Sequence, residues 1–366
     1  MKTRSRTAPR FVCPAVHREK SRFVILFYDI CHTCGNPIDF PAALCYDIDK
    51  YFILRIFAEI REKVNFAAFL RGGKEFILKT AIITDSNSGI TQKEGKELGI
   101  FVLPMPFIID GEPYFEDINL TQEEFYEHLK NPETNVSTSQ PSVGDVLDLW
   151  NGILKDFDEI VHIPMSSGLS QTCETAIALA KDFGGKVHVV NNQRISITQK
   201  LSVFDAMKLR DRGKSAAEIK EYLEATKFDS SIYIAVDTMK YLKKGGRVTP
   251  AAAAIGSILK IKPVLQIQGE KLDKFALARS LPKAKEIMKE SITKDLRVRF
   301  RELTANGDMV LAVAHTANYE EAEHFSRELR EALPDVPFTC CDPLSLSIAC
   351  HIGPGSLAVG CVRILR

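Results

Sequence analysis

From Lys79 onward, short apolar runs alternate with amphipathic stretches at a spacing that few architectures can absorb. Lys79–Thr84 (KTAIIT) reads as a buried strand, Thr91–Leu98 as a helix, and Phe101–Ile109 as a second strand turned at Gly111. Leu120–Leu129 reads as a helix opened by Thr121 with Glu124 three residues on, the pattern of a capping box. The helix Val143–Leu154, the strand Glu159–Ile163, the helix Gln171–Phe183 and the strand Lys186–Val190 follow. Strands alternating with helices in this way imply βαβ units and a parallel sheet. Beyond Ala216 the pattern changes. A helix Ala216–Thr226 and a strand Ile232–Val236 lead to an Ala-rich helix Pro250–Leu259 and strands at Ile261–Ile267 and Ala276–Ser280. Then come the helix Pro282–Asp295, the strand Met309–His315, the helix Tyr319–Leu333 and a closing strand Leu357–Arg363. Pairs of strands mixed with helices point to a smaller α+β domain. The expected class is therefore α/β in two domains: a parallel-sheet α/β domain over 78–230 and an α+β domain over 231–366.

In an open parallel sheet, ligands sit outside the carboxyl ends of the strands. Three polar loops flank those ends, at Asp85–Ser88, Ser137–Ser142 and Ser166–Ser170. The stretch His162–Ala176 (HIPMSSGLSQTCETA) is the most suggestive, since it runs from a strand through a Ser/Gly turn into a helix. The first turn of a helix offers unpaired N–H groups and a favourable dipole to an anion. The same serines would equally cap the helix with no ligand at all.

The chain has 366 residues, room for two domains, with 45% hydrophobic and 26% charged residues, ordinary for a globular protein. A net charge of +1 argues against a nucleic-acid binder that relies on a large positive field. That total hides a split: residues 1–77 carry 13 Lys and Arg against 8 Asp and Glu, and residues 78–366 carry 35 against 39. The leading 77 residues show no clear period apart from a helix-like patch at Tyr51–Leu70. Arg71-Gly-Gly-Lys-Glu75 is what a purine-rich ribosome-binding site encodes when translated in frame, and Leu78 stands directly before the first strand. Residues 1–77 are thus expected to be an over-extended gene model, with translation starting at Leu78. Cys31-His-Thr-Cys34 has no second CxxC to complete four ligands, so no metal site is expected there. The nine cysteines form no secreted framework, and the apolar run Phe23–Tyr28 is too short for a signal-peptide core. No stretch reaches the length of a membrane span, so the expected location is the cytoplasm.

Several segments in order carry a resemblance. They are Thr84-Asp85-Ser86, Thr138-Ser-Gln-Pro-Ser142, Ser166-Ser-Gly-Leu-Ser170, Tyr241-Leu-Lys-Lys-Gly-Gly-Arg247, the Arg279 to Lys283 segment, and His351-Ile-Gly-Pro-Gly355. Over residues 78–366 the chain resembles the DegV family of bacterial fatty-acid-binding proteins. The resemblance implies one long-chain fatty acid enclosed between the two domains, with its chain in an apolar tunnel. It assigns the carboxylate to Thr138, Ser170 and His351. It further implies that members serving a fatty-acid kinase present the carboxylate for phosphorylation to acyl phosphate, toward phospholipid synthesis, with Arg247 and Arg279 facing that partner. The protein is then a carrier rather than a catalyst, with no cofactor beyond the bound fatty acid and no nucleic acid. Transient contact with a membrane surface is compatible with such a role. Two departures from the family pattern stand at Asn191-Asn192, where an Asp-Ser pair is usual, and at Gln171, where Gly is usual. Both are expected to bear on the pocket floor.

The chemistry agrees with this reading independently. Burying a long acyl chain gains about 0.8 kcal/mol per methylene. An unpaired carboxylate would offset much of that gain. Two hydroxyls and a protonatable imidazole answer the charge without a full salt bridge. The competing enzyme reading is a serine hydrolase or esterase acting through Ser170 and His351. Gly168-Leu-Ser170-Gln-Thr172 lacks the last glycine of a nucleophile elbow, and neither a GxxxxGK[ST] nor a GxGxxG loop supports a nucleotide-binding enzyme.

Overall fold

A computed structural model describes residues 78–254, 261–268 and 271–366. The Cys31/Cys34 pair, the patch Tyr51–Leu70 and the second half of the helix expected at Pro250–Leu259 lie outside the described residues. Residues 77–366 form one unit. Its first sheet has the strands β1 (Thr80–Asp85), β2 (Phe101–Leu103), β6 (Glu159–Ile163) and β7 (Val187–Val189) in the order β2-β1-β6-β7, all parallel. Strand side chains alternate, and both faces here are apolar. Ile82, Val102, Val161 and Ile163 pack under the helices Ile197–Asp211 and Ala216–Ala225. Ala81, Ile83, Ile160, Val187 and Val189 pack on the opposite side, with Trp150 and Cys173 from the helices Val143–Ile153 and Thr172–Ala180. The expected capping box closes at Thr121 and Glu124, and equivalent boxes start the helices at Thr91, Ser142 and Ser215.

A second sheet of six strands joins β8 (Ser230–Ala235), β9 (Lys262–Ile267), β10 (Asp273–Ala278), β11 (Met309–His315), β12 (Phe338–Pro343) and β13 (Leu357–Arg363) in the order β10-β9-β8-β13-β11-β12. Only β11 and β12 run parallel. One face packs Tyr233, Leu311, Val313, Val359 and Cys361 against side chains of the helices Leu281–Lys294 and Tyr319–Ala332. The other face, carrying Ile234, Ala314 and Ala358, packs against Leu344 and Ile352 and borders a cavity.

Some elements differ from expectation. Phe101–Ile109 is not one strand: Pro104 ends β2, and β3 (Pro106–Ile109) joins a separate antiparallel sheet with β4 (Glu112–Phe115) and β5 (Val136–Thr138). The helix Ile197–Asp211 has no counterpart in the sequence reading. Its buried face includes Thr198, Gln199, Ser202 and Asp205, so the apolar period that betrays a helix is interrupted. Short helices at Lys240–Gly245 and Leu346–Ile352 and the strand β12 were likewise not anticipated. A one- or two-turn helix shows too few periods to register.

Candidate functional site

Each polar loop is anchored before it reaches the cavity. Asp85, at the end of β1, is fully buried, and that burial pushes its carboxyl above the usual range. Its oxygens accept from the Asn87 N–H at 3.0 Å, the Met165 N–H at 2.8 Å and Gln199 Nε2 at 3.1 Å. One carboxylate thus ties the loop after β1, the segment after β6 and the helix Ile197–Asp211 together. The Thr84-Asp85-Ser86 motif positions the site rather than touching a ligand, whereas Asn87 lines the cavity.

The serine turn behaves partly as a cap. Ser166 is buried, and its hydroxyl accepts the Gly168 N–H. The Ser170 N–H donates to the Ser166 carbonyl at 3.1 Å, so it is turned away from any ligand. The Ser170 hydroxyl accepts the Thr172 N–H at 3.2 Å and lies 2.8 Å from Thr172 Oγ1. Of the three serines in the turn, Ser170 lines the cavity. What it presents to the cavity is a hydroxyl, not a nest of N–H groups.

Thr138 ends β5, and His351 stands near the end of the helix Leu346–Ile352. Thr138 Oγ1 and His351 Nε2 are 2.8 Å apart. His351 is pushed down to about 4, first by burial and then by the nearby Arg247 guanidinium, so its ring is neutral at physiological pH. Expectation had the imidazole ready to take a proton; the enclosed position and a cationic neighbour make it a neutral hydrogen-bonding group instead. Arg247 follows the helix Lys240–Gly245, lines the cavity, and donates from Nε to the Leu169 carbonyl at 3.3 Å and from Nη1 to the Gly245 carbonyl. Arg279 is exposed just after β10 and is not among the lining residues.

Thr138, Ser170, His351 and Arg247 therefore share one cavity, and Arg279 stands apart from it. Its walls are apolar: Met105, Met165, Leu169, Ile195, Ile232, Ile234, Ile267 and Ile348 among others. The cavity has a volume of about 90 Å³, several times what one water needs. Ser139, Ser196 and Ser347 add polar points that sequence reasoning did not single out. Ser139 lay within a flagged loop, but Ser347 sits on a helix too short to be recognised. Neither Asn191, Asn192 nor Gln171 lines the cavity. The Asn191 N–H donates to Glu224 Oε1 and the Asn192 side-chain amide to Ser202 Oγ, both at 2.9 Å, which ties the loop after β7 to the helices Ala216–Ala225 and Ile197–Asp211.

A hydrolase would need His351 bonded to the serine and to a carboxylate. Among the described residues the His351 ring bonds Thr138, and Ser170 bonds Thr172. No group of three or more His, Cys, Asp or Glu among them could hold a metal ion. No helix among them is long and apolar enough to cross a membrane.

Fold and cavity together define a mixed α/β protein with a largely apolar cavity that also presents hydroxyl, imidazole and guanidinium groups. The family model described as "Uncharacterised protein, DegV family" matches residues 79–363, and the chain belongs to that family. Protein DegV of Bacillus subtilis is 30% identical over 289 residues, covering 77% of this chain and 98% of that protein. The DegV domain-containing protein BH3627 of Halalkalibacterium halodurans is 29% identical over 285 residues, or 77% and 97%. Among solved structures, a fatty-acid-binding DegV family protein from Thermus thermophilus superposes with a TM-score of 0.70 at 25% identity, covering 78% of this chain and all of that one. DegV of Bacillus subtilis, described as a fatty acid binding protein, gives 0.68 at 29% identity, covering 78% and 99%.

Proposed function

We propose that this protein binds a long-chain fatty acid, with the carboxylate received by Thr138, Ser170 and His351 and the chain laid along the apolar channel. The observation that carries this is the cavity itself, largely apolar in its lining with polar groups gathered from distant segments of the chain. Fatty-acid binding by structurally similar members of the family supports it. Thr138 and His351 bond each other, and so do Ser170 and Thr172. A carboxylate entering between them would replace these neutral bonds with charge-assisted ones, each contributing about 1.5–3 kcal/mol. Methylene burial at about 0.8 kcal/mol each supplies the larger, sequence-independent share of affinity.

The same reading makes the protein a carrier in the cytoplasm, built from domains over 78–230 and 231–366 with the ligand between them. A fatty-acid kinase is the partner. One carboxylate oxygen, left reachable at the cavity mouth, attacks the terminal phosphorus of a nucleoside triphosphate held by the kinase; the bond from that phosphorus to the diphosphate breaks, and acyl phosphate and nucleoside diphosphate form. Arg247 and Arg279 meet the charge of that phosphoryl group. A carboxylate held by hydroxyls and a neutral imidazole keeps more nucleophilic character than one clamped by guanidinium. The test is the fatty acid retained per mole of folded protein in Thr138→Ala, Ser170→Ala and the double variant. Each single change is expected to weaken retention, and the double change to empty the channel while the fold persists. Wild-type levels of fatty acid in the double variant would falsify the head-group assignment.

A further inference from the structure

The cavity face of the six-stranded sheet is graded. On β11 and β13 the residues facing the cavity side form cross-strand pairs: Ala314 with Ala358, then Ala312 with Gly360, then Val310 with Val362. The first two pairs line the channel. The third does not; Val310 and Val362 pack instead with Leu201, and Ile197, which lines the cavity, packs against this cluster. The direction is set by the His351–Gly355 motif, which bonds Thr316 directly after β11: Thr316 Oγ1 donates to the Gly353 carbonyl at 2.6 Å and the Gly355 N–H to the Thr316 carbonyl at 2.7 Å. The head-group end thus lies by the first pair, and two steps along the strands the floor rises from small residues to a valine pair.

Gly360 shows that the small residues are there for space. Its backbone is not left-handed, so no turn requires glycine there. An added Cβ would meet only the Ser231 carbonyl at 3.5 Å and Ile232 Cγ1 at 3.6 Å, ordinary contacts. Glycine within a strand weakens it, having no side chain to pack. A residue that the backbone does not need and the strand does not favour is explained by the channel that runs over it.

We propose that the Val310–Val362 pair, backed by Leu201 and Ile197, is the stopper that sets the longest acyl chain the channel accepts, and that Ala312 and Gly360 form the floor under its terminal methylenes. This rests on the fatty-acid reading of the cavity and specifies which chains fit. The stopper is thin on one side, because Ile197 and Leu201 also line a second recess beyond it. Removing bulk there lengthens the channel, and adding bulk at Gly360 shortens it. One two-residue step along an antiparallel strand is about 6.8 Å.

The experiment offers the purified full chain an equimolar series of saturated fatty acids of increasing length and identifies the bound species by mass spectrometry. Gly360→Val is expected to shift the preferred length down, and Val362→Ala to shift it up, each by at most about five carbons, the number of methylenes that span one such step. A Cβ at Gly360 makes only ordinary contacts, so Gly360→Ala, the smaller change in the same direction, is the second variant that keeps the test decisive if Gly360→Val or Val362→Ala does not fold. An unchanged length preference in a folded, lipid-loaded Gly360→Val protein overturns the stopper while leaving fatty-acid binding intact. A wild-type protein that takes up none of the series overturns the fatty-acid reading and this proposal with it.

Discussion

Gly245 lies against the ring of His351 so closely that a Cβ on it would sit 2.4 Å from Nδ1. The second half of the Tyr241–Arg247 motif is therefore a platform for the histidine of the His351–Gly355 motif. The reverse contact exists too: a Cβ on Gly353, which has φ of 75°, would lie 2.3 Å from the Tyr241 ring. Gly245→Ala must push the imidazole away from Thr138. Fatty-acid affinity is expected to fall about 10- to 100-fold, the loss of one charge-assisted hydrogen bond, with cooperative unfolding retained. A ligand titration beside a thermal melt checks this, and undiminished affinity would show that His351 does not hold the head group.

Arg247 and Arg279 separate by position. Arg279, exposed and off the channel, is expected to leave fatty-acid content at the wild-type level when changed to Ala, while phosphorylation by a cognate kinase drops about 10-fold or more. Turnover equal to wild type would remove Arg279 from the partner surface. Arg247→Ala is expected to let the His351 pKa rise from about 4 while staying below the ordinary value, since burial is the larger cause. Imidazole chemical shifts followed against pH report it directly.

Glu116 gives a pH dependence of definite sign. Its carboxylate accepts the Leu346 N–H at 3.0 Å, holding the start of the helix that carries His351. Burial, reinforced by Asp117, raises its pKa from 4.5 to about 7. The folded state therefore favours the protonated acid. The stability this contributes is full below about pH 4.5 and is lost as pH rises through about 7. Glu116→Gln keeps an acceptor for Leu346 without the charge. It should be more stable than wild type above about pH 8, by on the order of 1–2 kcal/mol, and nearly equal to it in acid. Urea unfolding at the two pH values measures the difference; a destabilised Gln variant at high pH would contradict the assignment.

A chain begun at Leu78, read as Met, is expected to fold independently, in line with the unit formed by residues 77–366. Its thermal midpoint should fall within about 2 °C of the full chain, corresponding to roughly 1 kcal/mol. A much lower midpoint would show that residues 1–77 contribute to the fold.

Local side-chain patterns determined much of this protein from sequence alone. Continuous apolar runs at Met309–His315 and Leu357–Arg363 marked both strands to the residue, and Thr121 with Glu124 marked a helix start. Such signals arise within a few residues of chain, where sterics and capping act. The order of motifs also identified the family and gathered Thr138, Ser170 and His351 as one candidate site. Only the tertiary structure decided how they meet. Thr138 and His351 are 213 residues apart, and their contact depends on a small sheet leaving the main one at Pro104 and on a short helix that sequence periodicity could not reveal. The neutral state of His351 follows from burial and from Arg247, neither of which is local to it. The graded floor exists because β11 pairs with β13 in one register, bringing Ala312 beside Gly360 and Val310 beside Val362. Register between distant strands is chosen by packing across the whole core, so no stretch of sequence carries it by itself.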